Sequence, residues 1–415
     1  MVKQNFFTYI LCVIGLLMIA GLWGCQGPTG PAGQNADLEG FAPGIVCGNC
    51  HNQDFNSTNS VLAKQFEYDI SDHYTGGDYT RNTTQCAGCH TNEGFLERYN
   101  NGFALETFNI NTPSGPMVKQ NYPASSPPGC FTCHMPHARG NFSVRDSIAV
   151  NIYTLLANQT TKVWNSTPES NLCVKCHQPR MTSTFLNATP YSWQPNPSKV
   201  NMTDTAKIYT TRWNNHVSGE SAQTLLGFGG FEFTGPAAYS NSEHTVYHNG
   251  NPVGCEECHM ATVNGAIQNG GHTFAVKDTS DYSTSPAYNV NGCNVNGCHT
   301  GLTASASDGD WGKRTAIITE LNMLGKMMMD TNITKKYSLP QGGKPVPWVT
   351  YTVTGIDTAW AMVNASSSKP LVIVPAAKAG ALWNLQQIYY DKSHGVHNYR
   401  YTKALLDNSL YQLSQ

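Results

Sequence analysis

Cys130-Phe131-Thr132-Cys133-His134-Met135-Pro136-His137 carries two cysteines three positions apart, a histidine directly after the second, and a further histidine three positions on. Thiols at that spacing can each add to one vinyl group of a single haem while the adjoining histidine sits beneath the iron, the attachment pattern of a c-type haem. The same pattern recurs at Cys47, Cys50 and His51; at Cys86, Cys89 and His90; at Cys173, Cys176 and His177; and at Cys255, Cys258 and His259, five sites in all. Cys293-Asn294-Val295-Asn296-Gly297-Cys298-His299 is a sixth, with four residues between its cysteines instead of two. Its small polar residues let the longer loop bulge while both thioethers still form.

Disulfides or zinc sites also use two-residue cysteine spacing. Neither explains why histidine stands directly after the second cysteine each time. The expected cofactors are therefore six covalently bound haem c groups.

The motif histidines are separated by 39, 44, 43, 82 and 40 residues, a loose repeat with one insertion between His177 and Cys255. Eight further histidines remain, against a demand for six second ligands if every iron takes two imidazoles. Two imidazoles fill the iron's coordination sphere and suit it to electron transfer, whereas one leaves an open face. Context ranks the eight. His137 cannot fold back to the iron of its own motif and is expected to serve a neighbour. His73 and His244 lie 13 and 11 residues ahead of the next motif, each after an acidic residue. His272, His216 and His397 complete the expected set, leaving His248 and His394 as spares.

The N-terminus reads as an export signal: Lys3, an apolar run from Phe6 to Ala20, then Leu22-Trp23-Gly24-Cys25. The last four resemble a bacterial lipoprotein cleavage box, with Cys25 as the lipidated residue. An uncleaved anchor helix is the alternative, and either places the chain on a membrane. Of the 14 cysteines, twelve belong to haem motifs, leaving only Cys12 and Cys25. Covalent haem attachment resembles the periplasmic route of bacteria, and Gln26 after the lipid cysteine favours the outer membrane or cell surface. The boundaries expected are a signal peptide over 1–24, a Gly/Pro-rich tether over 25–45, a multihaem region over 46–305, and a helical region over 306–415.

Charged residues make up only 13% of the chain and the formal net charge is −2. Twelve ionised propionates would carry the total to about −8 to −14 according to iron oxidation state. With no basic block and this sign, nucleic acid is excluded as a partner. The fold expected is mainly α with extensive coil and minor β, organised around cofactors. Apolar residues recur at helical spacing over Trp311–Asp330, with helices resuming over Ala376–Tyr390 and Tyr399–Leu413, and short strands between 345 and 374. The methionines of the first of these helices are core residues rather than iron ligands.

The Cys-x-x-Cys-His-Met-Pro-His run, Cys258-His259-Met260 followed by Gly270-Gly271-His272-Thr273-Phe274, and Gly395-Val396-His397-Asn398 before a final helix resemble the multihaem cytochromes c related to ammonia-forming nitrite reductase and the octahaem oxidoreductases. The resemblance implies that His397 is a distal haem ligand. The chain departs from that family in having Tyr399 where proline usually follows His-Asn. It also has histidine at all six sites, where the nitrite reductases use a Cys-x-x-Cys-Lys haem or leave an iron face open. No catalytic residue is carried over.

The function expected is electron transfer across the periplasm or cell surface, in anaerobic or extracellular respiration. Its partners would be redox proteins, either other multihaem cytochromes or a membrane quinol-linked donor, with the membrane engaged through the lipid anchor. Self-association into a homo-oligomer stays open. The alternative is reduction of a small nitrogen or sulfur oxyanion at one haem with a vacant face.

Overall fold

The computed structural model describes residues 42, 50–51, 60–84, 86–100, 118–152, 162–179, 206–208, 221–239, 253–262, 269–277, 288–295, 299, 301–302, 312–329, 334–338, 349–350, 358–362, 371–373 and 377–415. The signal segment, Cys12, Cys25, all of the tether except Ala42, and Cys47, Cys298, His216, His244 and His248 lie outside the described residues. The described part is about 52% helical with little strand, the mainly α class that the sequence implies.

Short polar caps start the N-terminal helices. Ser60 Oγ accepts the Ala63 N–H (3.3 Å) at the head of α1 (Val61–Asp69), and Ser71 Oγ accepts the Tyr74 N–H (3.4 Å) at the head of α2 (Asp72–Thr75). A side-chain oxygen there satisfies an amide with no partner inside the helix. Next come α3 (Ala87–His90), α4 (Asn92–Asn100) and α5 (Cys130–Cys133), of which α4 packs on both its neighbours. Helix α6 (Pro136–Arg139) belongs to a separate small unit, in which the His137 carbonyl accepts the Ala42 N–H at 2.7 Å. All elements that follow belong to the larger unit.

Strands β1 (Val150–Ile152) and β2 (Lys162–Trp164) pair antiparallel with Val150 opposite Trp164. Alternation turns Val150, Ile152 and Trp164 inward, where they pack with Val174, Ala222, Leu226 and Phe228 against Cys255. Val174 ends α7 (Pro168–Val174), and Ala222 lies on α8 (Ser221–Leu225). Helix α9 (Cys255–His259) packs on α7.

The C-terminal region is built on three longer helices. Helix α10 (Gly312–Met329) buries Ile317, Leu321, Leu324 and Met328 along one stripe. Strands β4 (Thr334–Ser338), β5 (Val349–Thr350) and β6 (Thr358–Met362) form a three-stranded sheet in the order β4-β6-β5. Strand β7 (Leu371–Ile373) pairs antiparallel with the distant β3 (Ala206–Ile208). Helices α11 (Ala377–Asp391) and α12 (Tyr399–Ser414) pack on each other and on α10. Met328 is wholly buried among these helices and is a packing residue, whereas Met323 faces outward at 51% exposure and is not the core residue that the sequence suggests.

Helix α11 buries polar and apolar residues alike, and a neighbouring segment explains why. Residues 228–237 form an irregular strap along α11 and α12, and side chains supply the partners its backbone would find in a sheet. Asn384 accepts the Phe231 N–H (2.6 Å) and donates to the Phe231 carbonyl (2.9 Å). Trp383 Nε1 donates to Gly229 (2.9 Å), and Gln387 donates to Phe228 (3.1 Å). On α12, Asn408 pairs both ways with Ala237, and the Tyr401 hydroxyl accepts from Gly230. Close approach requires glycine: a Cβ on Gly380 would stand 2.7 Å from both Phe231 and Phe233.

Candidate functional site

Each described cysteine motif folds as one helical turn. The histidine N–H donates to the carbonyl of the first cysteine in His90 to Cys86 (3.2 Å), His134 to Cys130 (2.9 Å) and His177 to Cys173 (3.0 Å). In a helical turn residues three and four apart share a face, so both thiols and the imidazole point to one side. The His299 N–H donates to the Cys293 carbonyl at 3.1 Å, six positions back where the other motifs close over four.

Four turns converge in the larger unit. The Cys173 thiol is hydrogen-bonded to Cys255 and the Cys176 thiol to Cys89, so cysteines of different motifs adjoin. Cys133 and Cys176 border one apolar cluster (Phe95, Val144, Leu172), and Cys89 borders another (Ala87, Val118). Buried cations brace the turns. Arg98 donates to Cys89 Sγ at 3.2 Å and to the Lys175 carbonyl at 3.5 Å, while Lys175 stands 3.5 Å from Asp146. Arg145 donates to the Phe131 carbonyl at 2.7 and 2.9 Å.

Among the described residues, six histidines meet in three pairs. His177 and His73 have ring centres 6.0 Å apart, His134 and His272 are 6.3 Å apart, and His259 and His397 are 6.2 Å apart. In every pair one member comes from a cysteine motif and the other from outside it. An iron between two imidazoles needs about 2.0 Å to each nitrogen, and with about 1.1 Å from nitrogen to ring centre on either side the centres stand about 6.2 Å apart. The three separations fit that requirement. The interplanar angles of 73°, 42° and 48° are compatible with it, because two rings on a common axis can take any mutual twist. Among the described residues no cluster of three or more His, Cys, Asp or Glu is placed to hold a metal ion.

Two of the rings are also held from behind. His259 Nδ1 meets the Phe274 carbonyl at 2.8 Å and His397 Nδ1 meets Asp391 Oδ1 at 2.6 Å, whereas His272 Nδ1 lies 3.6 Å from Glu67 Oε2, beyond hydrogen-bond reach. An acceptor at Nδ1 holds the proton there and leaves Nε2 as the metal-binding nitrogen, the usual outer-shell arrangement for a ligating histidine. Burial pulls the His397 imidazole down, but the Asp391 carboxylate reverses this and its pKa is raised overall. Burial pushes Glu67 up, but bonds from His272 and Lys64 outweigh it and hold the carboxyl down to about 2. His73 is exposed; partial desolvation of its ring, with His177 and His259 nearby, pulls its pKa down.

Of the expected second ligands, His73, His272 and His397 therefore meet motif histidines, His137 lies in the separate small unit, and His216 and His244 are outside the described residues. His394 is buried at φ 50° with Nδ1 3.2 Å from Arg314 of α10, a packing position. Glu67, Asp391 and Phe274 were not singled out in the sequence. Asp391, six positions before His397, carried the one available signal: a carboxylate near a candidate ligand. A comparison of the chain with protein-family models, curated proteins and solved structures finds no match.

Proposed function

We propose that this chain is an exported, lipid-anchored multihaem cytochrome c that carries electrons between redox proteins across the periplasm or cell surface. The observation that carries the reading is the recurrence of three histidine pairs at ring-centre separations of 6.0–6.3 Å, each uniting a cysteine-motif histidine with one distant in sequence. Bound haem would supply reversible one-electron ferric/ferrous exchange.

The chain's residues perform the remaining tasks. Paired cysteines on single helical turns tether the macrocycles, with Cys293 and Cys298 doing so through a longer loop. His51, His90, His134, His177, His259 and His299 are the proximal ligands. His73 serves the 173–177 motif, His272 the 130–134 motif and His397 the 255–259 motif. With two histidines supplied to each of these three irons, the sites would exchange electrons rather than bind oxyanions. Close-set turns would keep the haems near one another, and the acceptors at Nδ1 of His259 and His397 would make those two ligands more electron-rich. Cys25 would hold the assembly on the membrane through its lipid.

The test is the chain expressed with a c-type maturation system, with intact mass and haem content measured on the same sample. Six haem additions, with six equivalents of low-spin ferric signal by electron paramagnetic resonance, are expected. Fewer than five covalent haems, or a high-spin signal near one equivalent that persists across preparations, would overturn the electron-carrier reading and turn attention to an oxyanion reductase.

A further inference from the structure

The turn Gly270-Gly271-His272-Thr273-Phe274-Ala275 has contacts with three of the paired sites at once. It closes on itself through the Gly270 N–H to the Ala275 carbonyl (2.7 Å) and through Thr273 Oγ1 to the Gly270 carbonyl (2.6 Å). Gly271 donates to Ala261 (3.1 Å), just past the 255–259 motif, and the His272 N–H donates to Glu67 of α1 (2.8 Å).

Phe274 is the residue where these connections meet. Its ring lies edge-on to His73, with centres 4.8 Å apart at 85°, and 5.9 Å from His272 at 63°. Its carbonyl is the acceptor for His259 Nδ1 at 2.8 Å. It does this at φ 56°, in the left-handed region that an aromatic side chain rarely occupies. Strain of that kind persists only where the surroundings enforce it, and it concentrates at functional positions. Relaxing the backbone would swing the carbonyl away from His259, and losing the ring would free His73 and His272 to rotate.

We infer that Phe274 is a positioning residue shared by three haem sites, setting the orientation of His73 and His272 with its ring and of His259 with its carbonyl. This rests on the multihaem reading above. Ring orientation about the iron axis governs the splitting of the iron orbitals, so each low-spin ferric signal reports it. Three variants separate the parts. F274Y keeps ring and backbone and should reproduce the wild-type spectrum. F274L removes the ring contacts yet keeps a Cβ at a positive φ that the ring no longer enforces, so the backbone relaxes and three haem equivalents should shift. F274G removes the ring but adopts positive φ without strain, which keeps the carbonyl on His259, and should shift two.

Haem content is measured on every sample. A wild-type protein without covalent haem would refute the multihaem reading itself. Full haem content with F274L and F274G spectra identical to wild type, or with every haem shifted alike in F274L, would overturn the role of Phe274 alone.

Discussion

Replacing Asp391 by asparagine removes a charge from the back of one proposed axial ligand while changing little else. The Asp391 side chain is 2% exposed, its Oδ1 stands 2.6 Å from His397 Nδ1, and its Oδ2 accepts from Ser393 Oγ. A hydrogen bond to a charged partner contributes about 1.5–3 kcal/mol. It is stronger to the ferric site, whose imidazole N–H is more polarised, so the carboxylate favours the oxidised form. If about half of the bond distinguishes the two oxidation states, the difference is about 1 kcal/mol, or about 40 mV for one electron. D391N should therefore raise one midpoint potential by about 30–60 mV in a spectroelectrochemical titration and leave the others within about 10 mV. A downward shift, or equal movement of all potentials, would refute the reasoning.

Asn384 bonds both backbone groups of Phe231 from within α11, and the carbonyl also accepts the Phe233 N–H, so N384A should remove the bond to the buried Phe231 amide and one of two to its carbonyl and cost about 1–3 kcal/mol, read as a lowered denaturant midpoint. Glu67 has a folded pKa of about 2, below its ordinary 4.5, so its contribution to stability is fully present above about pH 4.5 and fades as pH falls towards 2. E67Q should flatten that part of the stability–pH curve, and an unchanged curve would count against the Glu67–His272 contact. C293A should leave the sixth haem attached through Cys298 alone, so that mild silver treatment strips haem from the 293–299 peptide of the variant more readily than from that of the wild type; a peptide map showing no haem at 293–299 in the wild type would exclude the sixth site.

The parts legible in the sequence are those decided over short distances. Cysteines three apart followed by histidine specify one turn and one cofactor chemistry, and the turns at Cys86, Cys130, Cys173 and Cys255 form as that spacing requires. The helices at Gly312–Met329, Ala377–Asp391 and Tyr399–Ser414 follow the apolar period to within a residue or so at either end. Asn398 in the Gly-Val-His-Asn junction caps the last of these by accepting the Tyr401 N–H at 3.1 Å.

What joins distant residues was not legible. Counting histidines gave the demand for second ligands, yet nothing local says that His73 meets His177 or that His272 meets His134. The strap at 228–237 was equally hidden, because its backbone is satisfied by Asn384, Gln387 and Asn408 rather than by a neighbouring strand with a readable pattern. Phe274 was visible only as the last residue of the Gly-Gly-His-Thr-Phe run, with no role of its own. Only its positive φ and its three contacts distinguish it.

The most direct measurement is a crystal structure of the mature holoprotein with iron located by its anomalous scattering. Irons are expected between His73 and His177, between His134 and His272, and between His259 and His397, each with thioethers to the motif that supplies its proximal histidine. Irons bound by other histidine pairings, or disulfides joining Cys173 to Cys255 and Cys89 to Cys176 in place of thioethers, would contradict the paired-histidine haem sites.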